Sequence, residues 1–230
     1  MTQPSANRSP FPAGFFDIAP ILVGVFPFGL IAGIAAVEVG LDSIQAYAAS
    51  PIVFAGAAQL AMIDLIGRDA APIVIVATVL VINARMAMYS AALAPAFREL
   101  SPLRKAYGSY VITDQSFAVS IVRFDRVDET LSERFSYYMG ASLGLWVTWQ
   151  ISSLAGVIIG SGVPEEWSLD FAVPLVFMAL VFPAIKDRAS TIAAVTAATS
   201  AVAFVSLPLN LGLLVASGLG LVAGVIWSRE

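Results

Sequence analysis

The chain reads as long apolar runs separated by short polar punctuation. Uncharged stretches cover Ile18 to Val37, Ser43 to Ile63, Phe135 to Pro164 and Ala189 to Ser228. A bilayer core of roughly 30 Å takes about 20 apolar residues as a helix, so each run is long enough to cross. The last run is 40 residues long and is punctuated by Pro208 and Asn210, which predicts two spans joined by a tight turn. Ala70 to Pro95 around Arg85 and Leu169 to Ile185 after Asp170 complete seven expected spans, near 15–37, 44–66, 70–95, 136–160, 169–185, 189–206 and 209–227. Helices are required because in lipid every backbone amide must be paired within its own segment or in a closed barrel. The ten-residue alternation of a barrel is absent. The expected fold is an all-α, polytopic integral membrane bundle: one membrane domain over 15–227 after a polar, Pro-rich tail over 1–14 and an uncleaved first span.

Segment 106–122 is ambiguous, being short and carrying Asp114 and Gln115 at its centre. As an eighth span it places the N-terminus inside, with 8 basic residues cytoplasmic against 3 outside. As a re-entrant segment it leaves seven spans, the N-terminus outside and a split of 9 to 2, which the positive-inside rule slightly prefers. A faint repeat points the same way. Pro51-Ile52-Val53-Phe54 is echoed by Pro174-Leu175-Val176-Phe177, each after a Leu-Asp pair, Leu41-Asp42 and Leu169-Asp170. With seven spans these segments cross in opposite directions, as in an inverted repeat; chance likeness between apolar segments is the alternative.

Composition narrows the function. Apolar residues make up 59% and charged residues 12%, with a mean hydropathy of +0.86, which excludes a soluble domain. Cysteine and histidine are both absent, removing thiol chemistry, thiolate or imidazole metal sites and Ser-His or Cys-His pairs. No enzyme, metal or other cofactor is expected. A net charge of −4 with dispersed basic residues offers nothing to nucleic acid, so the bilayer is the expected surrounding.

Ionisable groups inside spans cost from about 2.5 kcal/mol upward at a helix centre, so each needs a reason. Asp17 and Asp170 open their helices and read as caps in the helix dipole. Asp64 precedes Arg68 by one turn and either reaches the interface or serves proton coupling. Arg85 lies deep in its segment, about 20 Å along the helix, and needs a buried partner, with Asp64 and Asp114 as candidates. That pair either locks the bundle or answers to a substrate carboxylate or a proton. Asn83 and Arg85 lie on opposite faces of a continuous helix. Ser50-Pro51 followed by Phe54-Ala55-Gly56-Ala57-Ala58-Gln59 is either a proline kink or a helix interrupted near Ser50, whose second half would offer free amides to an anion. Gly29-x-x-x-Gly33, Gly140-x-x-x-Gly144 and Gly220-x-x-x-Gly224 serve close helix packing or the docking of another membrane subunit. Trp146, Trp149 and Gln150 either line a cavity or, as the tryptophans favour, make lipid or helix contacts. The mixed cluster Arg123, Asp125, Arg126, Asp128, Glu129, Glu133 and Arg134 reads as a solvated loop.

Five groups of residues together resemble the AzlC/YgaZ family, the large subunit of branched-chain amino acid exporters. They are Phe26-Pro27-Phe28-Gly29, Phe54 through Gln59, Asn83-Ala84-Arg85 with Tyr89, Thr113-Asp114-Gln115-Ser116-Phe117, and Leu169-Asp170-Phe171 with Lys186-Asp187-Arg188. The resemblance spans roughly Phe15 to Trp227. Met86 stands where relatives often carry His, and Gln115 where an acidic residue is common. The resemblance implies a multi-pass protein of the bacterial cytoplasmic (inner) membrane. It would be a secondary exporter of branched-chain amino acids or methionine, working with a small AzlD/YgaH-like membrane subunit. No phosphate-binding loop is present for ATP hydrolysis. On this reading Pro51, Phe54, Gly56, Gln59, Asn83 and Arg85 form the substrate site, and Asp114 and Asp64 couple transport to protons. The alternatives are a non-transporting accessory or scaffold subunit and, from another class, an intramembrane enzyme built on buried carboxylates.

Overall fold

The computed structural model describes residues 9–162, 185, 187–207 and 211–228. Those residues form helices and no strand: α1 (Pro10–Glu38), α2 (Ser43–Ile52), α3 (Gly56–Gly67), α4 (Pro72–Leu93), α5 (Pro102–Tyr110), α6 (Asp114–Phe124), α7 (Leu131–Gly160), α8 (Arg188–Ala203) and α9 (Leu211–Trp227). The expected span 169–185, the second half of the repeat at Pro174 to Phe177, Asp170, Lys186, Pro208 and Asn210 lie outside the described residues.

Burial is inverted relative to a soluble protein. The interior holds Ala13, Ala32, Ala35, Ala36, Ser50, Ser116, Ser142 and Ser152, whereas Val23, Ile52, Ile73 and Leu80 are largely exposed. Lipid is as apolar as leucine, so a membrane bundle gains by packing small residues inside and turning large aliphatic side chains outward. Within the described residues α1, α4 and α7 are the helices long and apolar enough to cross a bilayer.

The frame is a parallel pair, α1 and α7. Glycines set their separation: Gly14 abuts the Tyr137 carbonyl and Gly140 the Phe11 carbonyl, while Gly33 abuts the Ser153 carbonyl and Gly156 the Leu30 carbonyl. Any side chain at these points would strike backbone. Gly220 and Gly224 meet Ala197 and Ala193 in the same way, joining α9 to α8. The small-residue motifs therefore serve internal packing. α8 opens on an Asp187 cap, and the Ser190 amide, donating at 2.7 Å, holds that carboxyl below the usual carboxylate range.

The expected span 44–66 is two helices rather than one. α2 leaves the end of the bundle where α1 finishes and runs inward; α3 then returns to that same end, where Gly67 packs against Val39. Segment 106–122 does the same from the other end. α5 and α6 are broken at residues 111–113, and the tip of α6 comes back to the level at which α5 began: Phe97 meets Phe124 and Phe135 with ring centroids 5.8 and 5.7 Å apart. Two splayed helical hairpins thus enter from opposite ends of the bundle. Neither topology expected from sequence has this form, because both counted 44–66 as a crossing.

The hairpins change the charge ledger. Arg98, Arg104, Lys105, Arg123, Arg126 and Arg134 share the end at which α1 and α7 begin, and Arg68 lies at the other. The positive-inside rule therefore predicts that the crowded end is the cytoplasmic one. Single cysteines can test this directly, since the chain has none. Ser43→Cys and Asp69→Cys are expected to react with an impermeant maleimide in intact cells, whereas Ser101→Cys and Asp128→Cys react only after permeabilisation. Opposite accessibility for residues 43 and 69 would refute the α2–α3 hairpin.

Candidate functional site

The two hairpin tips meet inside the bundle. Pro51 lacks the N–H that would bond the preceding turn, yet Val53 N–H still reaches the Ala49 carbonyl at 2.9 Å, so α2 continues to Ile52. The break falls at residues 53–55, three residues later than the proline alone suggests. Ala55 is extended and has no side chain able to cap, and the first intrahelical bond of α3 is Gln59 N–H to the Ala55 carbonyl. The amides of Gly56, Ala57 and Ala58 are left without helical partners. α6 begins with a capping box between Thr113 and Ser116, which leaves the amides of Asp114 and Gln115 free within the helix.

Both N-termini open on one cavity of about 360 Å³, together with Arg85 of α4. Arg85 Nη1 and Asp114 Oδ2 are 2.6 Å apart, and about a third of each side chain, 32% and 36%, stays accessible. Asp114 Oδ1 and Arg85 Nε are buried without partners, so the pair has unused hydrogen-bonding capacity on both sides of its charge. One turn away, Tyr89 stacks on Phe117 at 4.7 Å and fixes α4 against α6. Each helix N-terminus behaves as roughly half a positive charge. With Arg85 and Asp114 nearly cancelling, the cavity is electropositive and suited to a carboxylate.

Its opposite wall is apolar: Val25 and Phe28 from α1, Met86 from α4, and Leu145 and Trp149 from α7. Phe28 meets Trp149 edge-on at 5.3 Å. Gly56 is what lets both rings approach, because a Cβ there would lie 2.7 Å from Phe28 and 2.9 Å from Trp149. Trp149 is 4% exposed and donates its indole N–H to Gln59 Oε1 at 3.0 Å.

A second cavity, of about 250 Å³, lies on the other side of the breaks, lined by Ile52, Val53, Asn83, Ser109 and Tyr110 and sharing Phe54, Ala55 and Met86 with the first. Tyr110 ties the two tips together, donating to the Pro51 carbonyl at 2.7 Å and accepting from Trp146 Nε1 at 3.1 Å.

Of the residues expected to bind substrate, Gly56, Phe54 and Arg85 line the first cavity and Asp114 joins them. Asn83 lines only the second, as its position on the opposite face of an unbroken α4 demands. Pro51 contributes its carbonyl to Tyr110, and Gln59 is fully buried behind Trp149; both position the site rather than face it. Asp64 pairs with Arg68 at 2.9 Å on its own helix, well away from Arg85 in the chain of contacts. The sequence favoured lipid or helix contact for Trp149, with cavity lining as the alternative that the structure shows, and assigned no role to Phe28, Leu145 or Tyr110. The available signal was Gln59, an amide within an apolar run that required a polar partner.

Two further readings need correction. Asp17 lies inside α1 rather than opening it, and accepts from Tyr137 Oη at 2.9 Å. The mixed cluster is not wholly solvated: Arg123 and Glu129 pair at 2.6 Å with side chains 4% and 6% accessible, and Arg123 sits 4.5 Å over the Tyr137 ring.

Residues 20–163, which hold both hairpins and the whole site, match the family model described as AzlC protein. The chain belongs to the AzlC family. It is similar to the inner membrane protein YgaZ of Escherichia coli strain K12, 24% identical over 90% of this chain and 86% of that protein. It is 30% identical to an uncharacterized membrane protein of Archaeoglobus fulgidus over 84% of each. No solved structure matches. The AzlC match thus covers the interrupted helices, whereas α8 and α9 fall beyond it.

Gln59→Leu removes the acceptor of the buried indole N–H while keeping an apolar fill. An orphaned buried donor costs about 1–3 kcal/mol, so thermal unfolding in detergent is expected to shift down accordingly. An unchanged melting temperature would mean that Trp149 has no need of Gln59.

Proposed function

We propose that this AzlC-family chain is the substrate-conducting subunit of a secondary exporter for branched-chain amino acids, with methionine as a further substrate. The observation that carries the reading is the convergence of two helix N-termini and the Arg85–Asp114 pair on one cavity with an aromatic and aliphatic wall. A zwitterionic amino acid matches that arrangement group by group. Its carboxylate faces Arg85 and the amides of Gly56 and Ala57, its ammonium faces the free Asp114 oxygen, and its side chain lies against Val25, Phe28, Leu145 and Trp149. A volume of about 360 Å³ is of the order of small-molecule sites.

Opposed hairpins whose tips meet favour alternating access, since each can open the shared cavity to its own end while the α1–α7 frame stays fixed. Protons are the proposed coupling ion. Protonation of Asp114 would remove the charge that holds Arg85 and free the guanidinium for the substrate carboxylate. Asp64, already paired with Arg68, is the weaker carrier. The multi-pass setting would be the bacterial inner membrane, and a small AzlD/YgaH-like subunit is the partner that the family resemblance suggests. Amino acids would leave chemically unchanged, with no catalytic step.

Efflux of labelled leucine and methionine from preloaded cells tests the reading. Arg85→Ala and Asp114→Asn are each expected to lower efflux at least tenfold at equal expression, following loss of a charge-assisted contact worth about 1.5–3 kcal/mol. The double exchange Arg85→Asp with Asp114→Arg separates transport from folding. It is expected to restore the melting temperature but not efflux; recovery of efflux would reduce the pair to a structural lock.

A further inference from the structure

A third cavity, of about 270 Å³, lies between the end of α4 and the arm α5 and is separate from the transport site. Its lining mixes two chemistries. Arg98, Arg104 and Lys105 stand at the charged rim, and Leu93, Phe97, Phe135, Tyr138 and Ile112 supply the apolar walls. From Arg104 to Ser109 is five residues, about 7.5 Å along α5, so the slot runs inward from the surface with charge at its mouth and mostly apolar walls behind it.

Three observations mark the mouth as a place for an anion. Lys105 Nζ donates to the Arg98 backbone carbonyl at 2.7 Å, which holds the ammonium beside the end of the preceding segment, and no ion pair joins any of the three to an acidic side chain among the described residues. Glu99, adjacent in sequence, lines a neighbouring cavity with Glu129, Arg134 and Arg98 itself, so Arg98 borders both cavities while Arg104 and Lys105 line only the slot. The first turn of α5 has no side-chain cap from Ser101 and begins with Pro102; Lys105 N–H makes its bond to the Ser101 carbonyl, leaving the Leu103 and Arg104 amides free within the helix beside the same rim. The arm itself is loosely held. Every α5 residue but Gly108 is exposed, and Tyr138 Oη fixes that glycine's carbonyl at 2.7 Å.

We propose that this slot binds one anionic phospholipid of the cytoplasmic leaflet, its phosphate on Arg98, Arg104 and Lys105 and one acyl chain between α4 and α5. Free phosphate would use the rim and leave the apolar depth without purpose; a zwitterionic lipid would leave the excess positive charge unmatched. Basic pockets between membrane helices on the cytoplasmic side are suited to this use. The occupant would complete the packing of the α5 arm, whose hairpin tip borders the transport cavity.

The test is native mass spectrometry of the full chain released from nanodiscs of equimolar phosphatidylglycerol and phosphatidylcholine. Wild type is expected to retain one phosphatidylglycerol. Arg104→Gln with Lys105→Gln is expected to lower that retention roughly 30-fold, each basic group near the surface being worth about fivefold. Ala94→Trp, which fills the slot and leaves the charges, is expected to abolish it, and Ser90→Phe fills the same slot should Ala94→Trp not fold. Equal retention of the two lipids by wild type, unchanged retention in the double variant or in the filled slot, or displacement of the lipid by inorganic phosphate would each overturn the proposal.

Discussion

An unpaired backbone group costs several kcal/mol in hydrocarbon, and the structure is organised around two places where the helical ladder fails. Residues 53–55 and 111–113 leave amides and carbonyls that neither helix half can satisfy alone. The solution is to bring the failures together. Tyr110 bridges them through the Pro51 carbonyl, and the remaining polar groups face shared cavities instead of lipid. Arg85 and Asp114 then have a polar environment ready for them, and their pairing fastens α4 to the tip of the second hairpin.

Rigidity is distributed unevenly around that point. α1 and α7 approach closely through glycines at four contacts, so the pair forms a frame with little freedom to slide. The hairpin arms pack on this frame less extensively. α6 is pinned at both ends, by Asp114 to Arg85 inside and by Arg123 to Glu129 and Tyr137 at the cytoplasmic surface. α5 is held by aromatic contacts, by the Tyr138 hydrogen bond to Gly108 and by the two hydrogen bonds of Tyr110 at its inner end. A chain built this way can move an arm without unfolding the frame, which is what the proposed alternating access would require.

Much of the site was legible because polar residues in apolar runs must be explained individually. Arg85 demanded a carboxylate, and Asp114 provides it; Pro51 and Gly56 announced an interruption, and one is present three residues further on. What escaped was direction. Hydropathy reports that residues 43–67 can lie in a membrane, but an interrupted helix that crosses and one that turns back have the same composition. Only the contact of Gly67 with Val39 separates them, and reversing that segment moves every later loop to the other side. The same blindness hid the aromatic wall, since Phe28 and Trp149 become neighbours only when α1 and α7 pack in parallel.

The amino-acid order by itself determined the all-helical membrane class, the breakable segment near Pro51 and the charges that had to find partners, because each follows from local composition and the cost of burying polar groups; the family was legible from the order and spacing of its motifs. Tertiary structure alone decided that both broken segments return to their starting ends and that their tips converge. It also decided that Gln59 serves Trp149 rather than the cavity. Those outcomes depend on distances between segments far apart in the chain, where close packing of small residues selects one arrangement from several that hydropathy permits equally.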